Sequence, residues 1–152
     1  MTDRNFTTSF YVDQSPEQAF AAIKNVWGWW SEGVQGRTEA LGDEFTYRHR
    51  DIHYSKQRLV EVVPSEKLVW LVLEDAYLKL VQDKNEWNGT RLCFETFREQ
   101  DRTVVRFTHE GLVRAQECFD ICSEAWGHYI GSLRELITTG VGRPDSASEQ
   151  VA

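Results

Sequence analysis

The sequence predicts an α+β domain in which an antiparallel β-sheet packs against one long C-terminal α-helix. The helix is predicted over residues 115–139, because apolar side chains recur there every three or four positions, as one face of an α-helix requires. The segment from Gly33 to Gly111 instead contains short apolar and β-branched runs separated by turn residues. Strands joined by tight turns are antiparallel neighbours, and one face of such a sheet is commonly covered. The helix is the available cover, and this arrangement can enclose a cavity.

The N-terminal part of the chain predicts a strand followed by a short helix. Residues 6–13 alternate in polarity, which is typical of a strand with one buried face. Ser15 can cap a helix, Pro16 suits the first turn, and Gln18 can complete a capping box. The helix is predicted to end before the cluster Gly28-Trp29-Trp30, which we expect to form a loop at the mouth of the cavity.

The middle of the chain predicts a meander of strands. Turn signals such as Gly42-Asp43 and Asn88-Gly89 separate the candidate strands. The segment 75–87 alternates only in part, and we expect a strand pair there without a fixed register. The other predicted strands cover residues 45–49, 59–63, 68–73, 92–97 and 104–108.

The predicted C-terminal helix has a wide apolar stripe and is predicted to end at Gly140. Gly127 and Gly131 each cost about 1 kcal/mol against alanine inside a helix, so they predict a bend or a close backbone approach. Glu124 and His128 fall on the opposite face. The predicted stripe contains Phe119, Cys122, Trp126, Tyr129, Ile130, Leu133, Leu136 and Ile137.

Composition narrows the classes of function. The 152 residues suit one domain, and the net charge of -7 comes without a dense cluster of lysine and arginine. We therefore expect neither a nucleic-acid partner nor a membrane span, and we predict a cytoplasmic protein. The three cysteines, Cys93, Cys118 and Cys122, lack a CxxC or zinc spacing and are interpreted as reduced thiols. A redox pair of Cys118 and Cys122 is the alternative.

Several motifs, taken in order, resemble the START-like helix-grip (SRPBCC) superfamily. They resemble most its branch named for the C-terminal domain of the activator of the heat shock protein 90 ATPase. Their order along the chain is more specific than any single motif. The motifs are residues 15–20 (SPEQAF), Trp29-Trp30, residues 42–45 (GDEF), residues 62–70 (VVPSEKLVW), residues 106–112 (RFTHEGL) and Trp126.

The resemblance covers about residues 4–140 and implies a curved sheet wrapped around the long helix, with a pocket between them. We therefore expect a single domain over residues 1–140. The tail, residues 141–152, has almost no apolar content and is predicted to be disordered.

Candidate ligand-binding residues are those that the predicted elements aim into the pocket. His109 shares a strand phase with Val105 and Phe107, and His49 shares one with Phe45 and Tyr47. A histidine there could orient a ligand or act as a general base, whereas the structural alternative is a hydrogen bond to the backbone. Aromatic side chains would supply the walls. The predicted set is Trp29, Trp30, Tyr47, His49, His109, Trp126 and Tyr129.

The sequence predicts no metal site and no cofactor. His49 and His53 are four residues apart, which on a continuous strand places them about 13 Å from each other. No HExxH, GxSxG or phosphate-binding glycine motif occurs in the sequence, so metal, nucleophilic and nucleotide chemistry lack support.

Three functions are compatible with such a pocket. The first is binding of a small hydrophobic or amphipathic molecule, without catalytic residues. The second is an enzyme of the polyketide-cyclase or hydrolase type, with His109 as the general base. The third is a co-chaperone-like protein-interaction module. A homodimer formed through an unpaired edge strand is possible in each case.

Overall fold

The computed structural model describes residues 5–50, 52–74, 76–79, 86–114 and 116–146. It confirms the predicted α+β architecture, a curved sheet against a long C-terminal helix. The helices are α1 (Pro16–Lys24), α2 (Val26–Trp29) and α3 (Phe119–Thr139). The strands are β1 (Phe6–Val12), β2 (Gln35–Gly36), β3 (Glu44–His49), β4 (His53–Val63), β5 (Lys67–Val72), β6 (Tyr77–Leu78), β7 (Arg91–Glu99) and β8 (Arg102–Glu110).

The sheet is antiparallel throughout, as the tight turns predict. Its strand order is β1-β8-β7-β5-β4-β3-β2, and the short β6 pairs with the start of β4. The first strand therefore pairs with the last one, Phe6 lying opposite His109. Within the predicted strand pair at 75–87, β6 is described, whereas residues 75 and 80–85 lie outside the described residues.

The Ser15 capping box forms as predicted, but the following tryptophans do not form a loop. The Gln18 amide donates to Ser15 Oγ, and the Ser15 amide donates to Gln18 Oε1. The chain then turns into α2, and Trp29 and Trp30 are both buried. Trp29 donates its indole N–H to the Ile23 carbonyl at 3.0 Å. The expectation of a mouth loop was wrong, because these large apolar rings stabilise the core.

Helix α3 begins at Phe119 rather than at residue 115. The two backbone amides before it, those of Glu117 and Cys118, donate to the Glu86 carboxylate, each at 3.1 Å. This carboxylate satisfies amides that have no partner within the helix, so the helix starts after them. The helix ends at Gly140, whose φ of 87° is left-handed, as the sequence predicts.

The apolar stripe of α3 is confirmed by burial. Cys122, Trp126, Ile130, Leu133 and Ile137 are buried against the sheet and the first two helices, whereas Glu124 and His128 are exposed. The central side chains of the core are aromatic. Its largest fully buried members are Trp29, Trp30, Trp70, Trp126, Phe45, Phe94 and Phe107.

The glycines of α3 are not explained by close packing. A Cβ built at Gly127 meets no described atom within 4 Å, and one at Gly131 meets only Arg143 Nη2, at 3.8 Å. The helix continues through both residues. A close backbone approach was therefore the wrong interpretation.

Replacing Gly127 by alanine is expected to raise the free energy of unfolding by about 0.5–1 kcal/mol, because alanine restricts the unfolded chain and meets no obstacle in the folded one. Urea denaturation measures this change. The control is Glu124→Ala on the same exposed face, which is expected to change stability by less than about 0.5 kcal/mol. A loss of stability in Gly127→Ala would contradict the prediction and point to a bend that needs glycine.

The start of the tail is ordered, which corrects the expectation that disorder begins at residue 141. We call residues 141–146 the C-terminal strap. The Arg143 amide donates to Ser132 Oγ at 2.6 Å, and the Asp145 amide donates to the Trp30 carbonyl at 3.0 Å. The Glu32 amide donates to the Asp145 carbonyl at 2.9 Å. These bonds are mostly made by main-chain atoms, so they need no apolar side chains. Residues 147–152 lie outside the described residues.

The three cysteines are buried free thiols. None of the helices in the described part of the chain is long and apolar enough to cross a membrane.

Candidate functional site

A cavity of about 180 Å³ lies between the sheet and the first turns of α3. It contains five of the seven predicted site residues, namely Trp30, Tyr47, His49, Trp126 and Tyr129. Trp29 and His109 do not line it. The other lining residues are Ile52, His53, Leu78, Trp87, Ile121, Cys122 and Ala125.

The walls of the cavity are stacked aromatic rings. The ring of Trp126 stacks on that of Trp87, with 5.7 Å between the ring centroids. It also contacts the ring of Trp30 at a tilt, with 5.3 Å between the centroids. Trp30 in turn stacks on Tyr47 at 4.7 Å. Each ring buries a large apolar surface and fixes the position of the next, so these walls are set by the core rather than by a mobile loop.

One corner of the cavity is polar. The Tyr129 hydroxyl donates to Asp145 Oδ2 at 2.6 Å, and the Tyr47 hydroxyl lies 3.0 Å from that of Tyr129 and 3.2 Å from Asp145 Oδ2. His49 Nδ1 lies 3.5 Å from the same carboxylate oxygen. Burial raises the pKa of both tyrosines, so they are neutral donors at pH 7. The strap thus supplies the acceptor that holds both hydroxyls.

His109 is a buried structural histidine rather than a wall of the cavity. Its Nδ1 accepts the Trp126 indole N–H at 3.0 Å, and its Nε2 lies 2.8 Å from Thr90 Oγ1. Because an indole N–H can only donate, the His109 proton is on Nε2 and is donated to Thr90. Thr90 donates its own proton to the Trp87 carbonyl at 2.6 Å. Burial lowers the pKa of His109 to about 3, so the ring is neutral at pH 7.

His49 and His53 are neighbours, which corrects the separation expected from a continuous strand. The chain reverses between them: Arg50 has a φ of 53°, and the Ile52 amide donates to the His49 carbonyl at 3.1 Å. The two histidines are therefore directly paired across the β3–β4 hairpin. Among the described residues, no group of three histidine, cysteine or acidic side chains is placed to hold a metal ion.

His53 is a lining residue with a buried polar atom that has no hydrogen-bond partner in the described part of the chain. This atom is Nε2. The imidazole ring packs edge-on against Trp87 and Tyr47, with ring-centroid distances of 4.4 Å and 5.4 Å. Burial is the main reason that its pKa is lowered to about 3, with a smaller contribution from His49.

Sequence reasoning missed four polar or aromatic residues of this site, namely Trp87, Cys122, Asp145 and His53. Trp87 follows the segment 80–85, which carried no readable pattern, and its indole N–H donates to Cys122 Sγ at 3.3 Å. Cys122 was placed on the apolar stripe but not in the cavity; hydrogen bonds from Cys118 and Trp87 lower the pKa of its thiol. Asp145 lay in the segment expected to be disordered. The alternation of His53, Ser55 and Gln57 along β4 was the signal available for His53.

No family model and no curated protein sequence matches the chain. Several solved structures, however, are similar to it. The solution structure of the Aha1 dimer from Colwellia psychrerythraea is 20% identical, with 91% of this chain and 99% of that chain covered and a TM-score of 0.74. The protein SSP2350 from Staphylococcus saprophyticus is 16% identical, with 95% and 99% covered and a TM-score of 0.69.

A third similar structure is DynU16, a putative protein in the dynemicin biosynthetic locus. It is 14% identical, with a TM-score of 0.68 over 95% of this chain, which corresponds to 51% of that longer chain. At such identities the likeness establishes the fold. The chain therefore has the helix-grip fold, as its sequence motifs imply.

Proposed function

We propose that this helix-grip domain binds a small apolar molecule, about the size of one aromatic ring, in the cavity between the sheet and α3. The observation that carries the proposal is the cavity itself, about 180 Å³ in volume and lined mainly by aromatic and aliphatic side chains. An apolar cavity of about 150 Å³ is large enough to hold benzene, whereas pockets for drug-sized ligands enclose about 300–1,000 Å³.

The size of the ligand is limited by the tryptophans. Trp29, Trp30, Trp70 and Trp126 are each fully buried and occupy much of the space that a sheet wrapped around a helix would otherwise leave. Moving any of them would disrupt a close-packed core. A small ring therefore suits the cavity better than a sterol or a lipid chain does.

The cavity has an entrance beside the first turns of α3. Ile121 is 40% exposed although it lines the cavity, and Ala125, one turn later, is also exposed. Ile52 and Leu78 line the cavity from the strand side. An apolar rim of this kind allows a small apolar molecule to enter without crossing a polar barrier.

The enzyme alternative loses its proposed base. Both nitrogens of His109 are engaged within the protein, and its lowered pKa makes it a weak base at pH 7. A cyclase or hydrolase would need another residue in that role. These contacts favour binding over catalysis.

The interaction-module alternative and the homodimer rest on weaker support. The Aha1 structure from Colwellia psychrerythraea is that of a dimer, and β1 forms one edge of the present sheet. An edge strand of seven residues is long enough to pair with a second copy. Light scattering after size-exclusion chromatography measures the oligomeric state.

The cytoplasmic location and the lack of a nucleic-acid partner stay predictions.

Toluene is a suitable first probe for the cavity, and Ala125→Phe is a variant designed to block it. We expect wild-type protein to bind toluene with a Kd between about 0.1 and 1 mM, given the ligand efficiency of very small ligands. A phenylalanine at position 125 adds a ring at the entrance, so binding is expected to weaken at least tenfold. Isothermal titration calorimetry measures both affinities.

The control is Glu124→Phe, which adds the same ring to the neighbouring exposed position that does not line the cavity. It is expected to leave the affinity unchanged. Equal weakening by the two variants, or failure of wild-type protein to bind toluene or benzene, would refute the proposed function.

A further inference from the structure

Two histidine nitrogens in the cavity wall are buried without a hydrogen bond in the described part of the chain, His49 Nδ1 and His53 Nε2. His49 Nδ1 lies 3.5 Å from Asp145 Oδ2, so His53 Nε2 is the one that a ligand would satisfy. A buried donor or acceptor without a partner reduces stability, so such atoms in folded proteins usually have one. The ring is held in place by Trp87 and Tyr47, which contact it edge-on at 4.4 and 5.4 Å. His53 Nε2 is therefore a polar point fixed between aromatic rings, apart from the polar corner at Asp145.

The other inward polar groups near the cavity already have partners. On the same face of β4, Gln57 Nε2 donates to Ser55 Oγ at 2.7 Å. The hydroxyls of Tyr47 and Tyr129 bond to Asp145, and Cys122 Sγ accepts from Trp87. A polar group on a ligand would gain little from replacing these bonds. It would gain most at His53.

The chemistry of His53 selects the ligand group. The ring is neutral at pH 7, so Nε2 either donates or accepts, depending on which nitrogen carries the proton. A hydroxyl group can both donate and accept, and so it fits either tautomer. An ammonium or a carboxylate fits only one of them and would also carry its charge into an apolar cavity.

We propose that the ligand is a hydroxyl-bearing aromatic ring, a small phenol in its chemical class, whose hydroxyl bonds to His53 Nε2 while the ring lies against the tryptophan wall. This inference rests on the proposed function, because it assigns the ligand of the same cavity. It makes His53 the residue that determines specificity, since His53 is the wall residue that distinguishes a hydroxyl from a methyl group.

Phenol and toluene provide the matched test, because they have the same ring and the same number of heavy atoms and differ in a hydroxyl for a methyl. Their affinities are measured by calorimetry for wild-type protein and for His53→Phe, which keeps an aromatic ring and removes both nitrogens. We expect the affinity for phenol relative to toluene to fall about tenfold in His53→Phe, as the loss of one buried hydrogen bond implies.

Two further variants show whether the effect belongs to His53. Tyr129→Phe removes a hydroxyl from the polar corner of the cavity, and His128→Phe changes an exposed histidine on α3. His128→Phe is expected to leave the ratio of phenol to toluene affinity as in the wild type, and Tyr129→Phe is expected to change it less than His53→Phe does. A ratio that changes in Tyr129→Phe but not in His53→Phe would overturn the inference.

The outcomes separate this inference from the proposed function. If toluene and phenol both bind but His53→Phe leaves their ratio unchanged, the hydroxyl assignment is wrong and the cavity function stands. If neither binds to wild-type protein, both are wrong. Should His53→Phe fail to fold, nitrogen NMR of the wild-type imidazoles decides: phenol, but not toluene, is expected to shift the Nε2 resonance of His53, and equal shifts overturn the inference.

Discussion

Lowering the pH from 7 to 5 is expected to reduce the free energy of unfolding by about 3–4 kcal/mol. In the folded chain the pKa of His53 and that of His109 are both lowered to about 3, because burial disfavours the charged ring. In the unfolded chain both return to about 6.5. Between these values the unfolded chain binds two protons that the folded chain does not, so stability decreases as the pH falls.

The size of the effect follows from the same difference. Each histidine contributes about 1.4 kcal/mol per pH unit within this window, and the full contribution is present only above pH 6.5. The His109 ring contacts Thr90, Trp87 and Trp126. The His53 ring contacts Tyr47 and Trp87, and His53 is paired with His49 across the hairpin. No carboxylate is among these contacts to stabilise an imidazolium.

Urea denaturation at a series of pH values measures this loss. His53→Phe is expected to halve the fall in the free energy of unfolding between pH 7 and pH 5, because only His109 then contributes to it. His128→Gln, which removes an exposed histidine, is expected to leave it unchanged. A free energy of unfolding that is constant over this range would mean that the two imidazoles accept protons as easily in the folded chain as in the unfolded one.

Replacing Gly142 by alanine is expected to lower the free energy of unfolding by about 2–3 kcal/mol and to release the C-terminal strap. A Cβ at this position would lie 2.3 Å from the Gly28 carbonyl oxygen and 2.9 Å from that of Ser132. Both obstacles are backbone atoms of helices that pack together, so neither can move aside easily. The strap would have to shift, and Asp145 would leave the two tyrosines.

Hydrogen exchange localises this change. The Glu32 amide donates to the Asp145 carbonyl, and the Asp145 amide donates to the Trp30 carbonyl. Both amides are expected to lose protection from exchange in Gly142→Ala. Val141→Ala, at an exposed strap residue, is expected to preserve both protection and stability. Unchanged protection in Gly142→Ala would show that the strap tolerates the methyl group and that its fit between α2 and α3 is loose.

The fold was predictable because each element has a period that its residues make visible. Phe119 to Ile137 repeat at helical spacing, and the strands alternate between turn residues, so one helix against an antiparallel sheet followed from sequence alone. Tyr47 and Trp126 were assigned to the cavity for the same reason. They lie on the inner phase of predicted elements.

The rest of the site depends on features that carry no local pattern. The hairpin that brings His53 beside His49 turns at Arg50, a non-glycine residue with positive φ, and nothing in residues 49–53 indicates a reversal. Asp145 is held by backbone hydrogen bonds, which composition does not encode. The structural role of His109 depends on Thr90 and Trp126, both distant in the chain.

The pairing of β1 with β8 also determines how the chain can fold. Thr7 donates to the Phe107 carbonyl across 100 residues of sequence, so β1 is synthesised well before its partner β8 and cannot pair until β8 has been made. Contacts of such long range form slowly, because a large loop must close first. Phe6 and Phe10, which pack against the core, are therefore expected to stay uncovered during synthesis until β8 emerges, and exposed apolar surface of this kind favours aggregation.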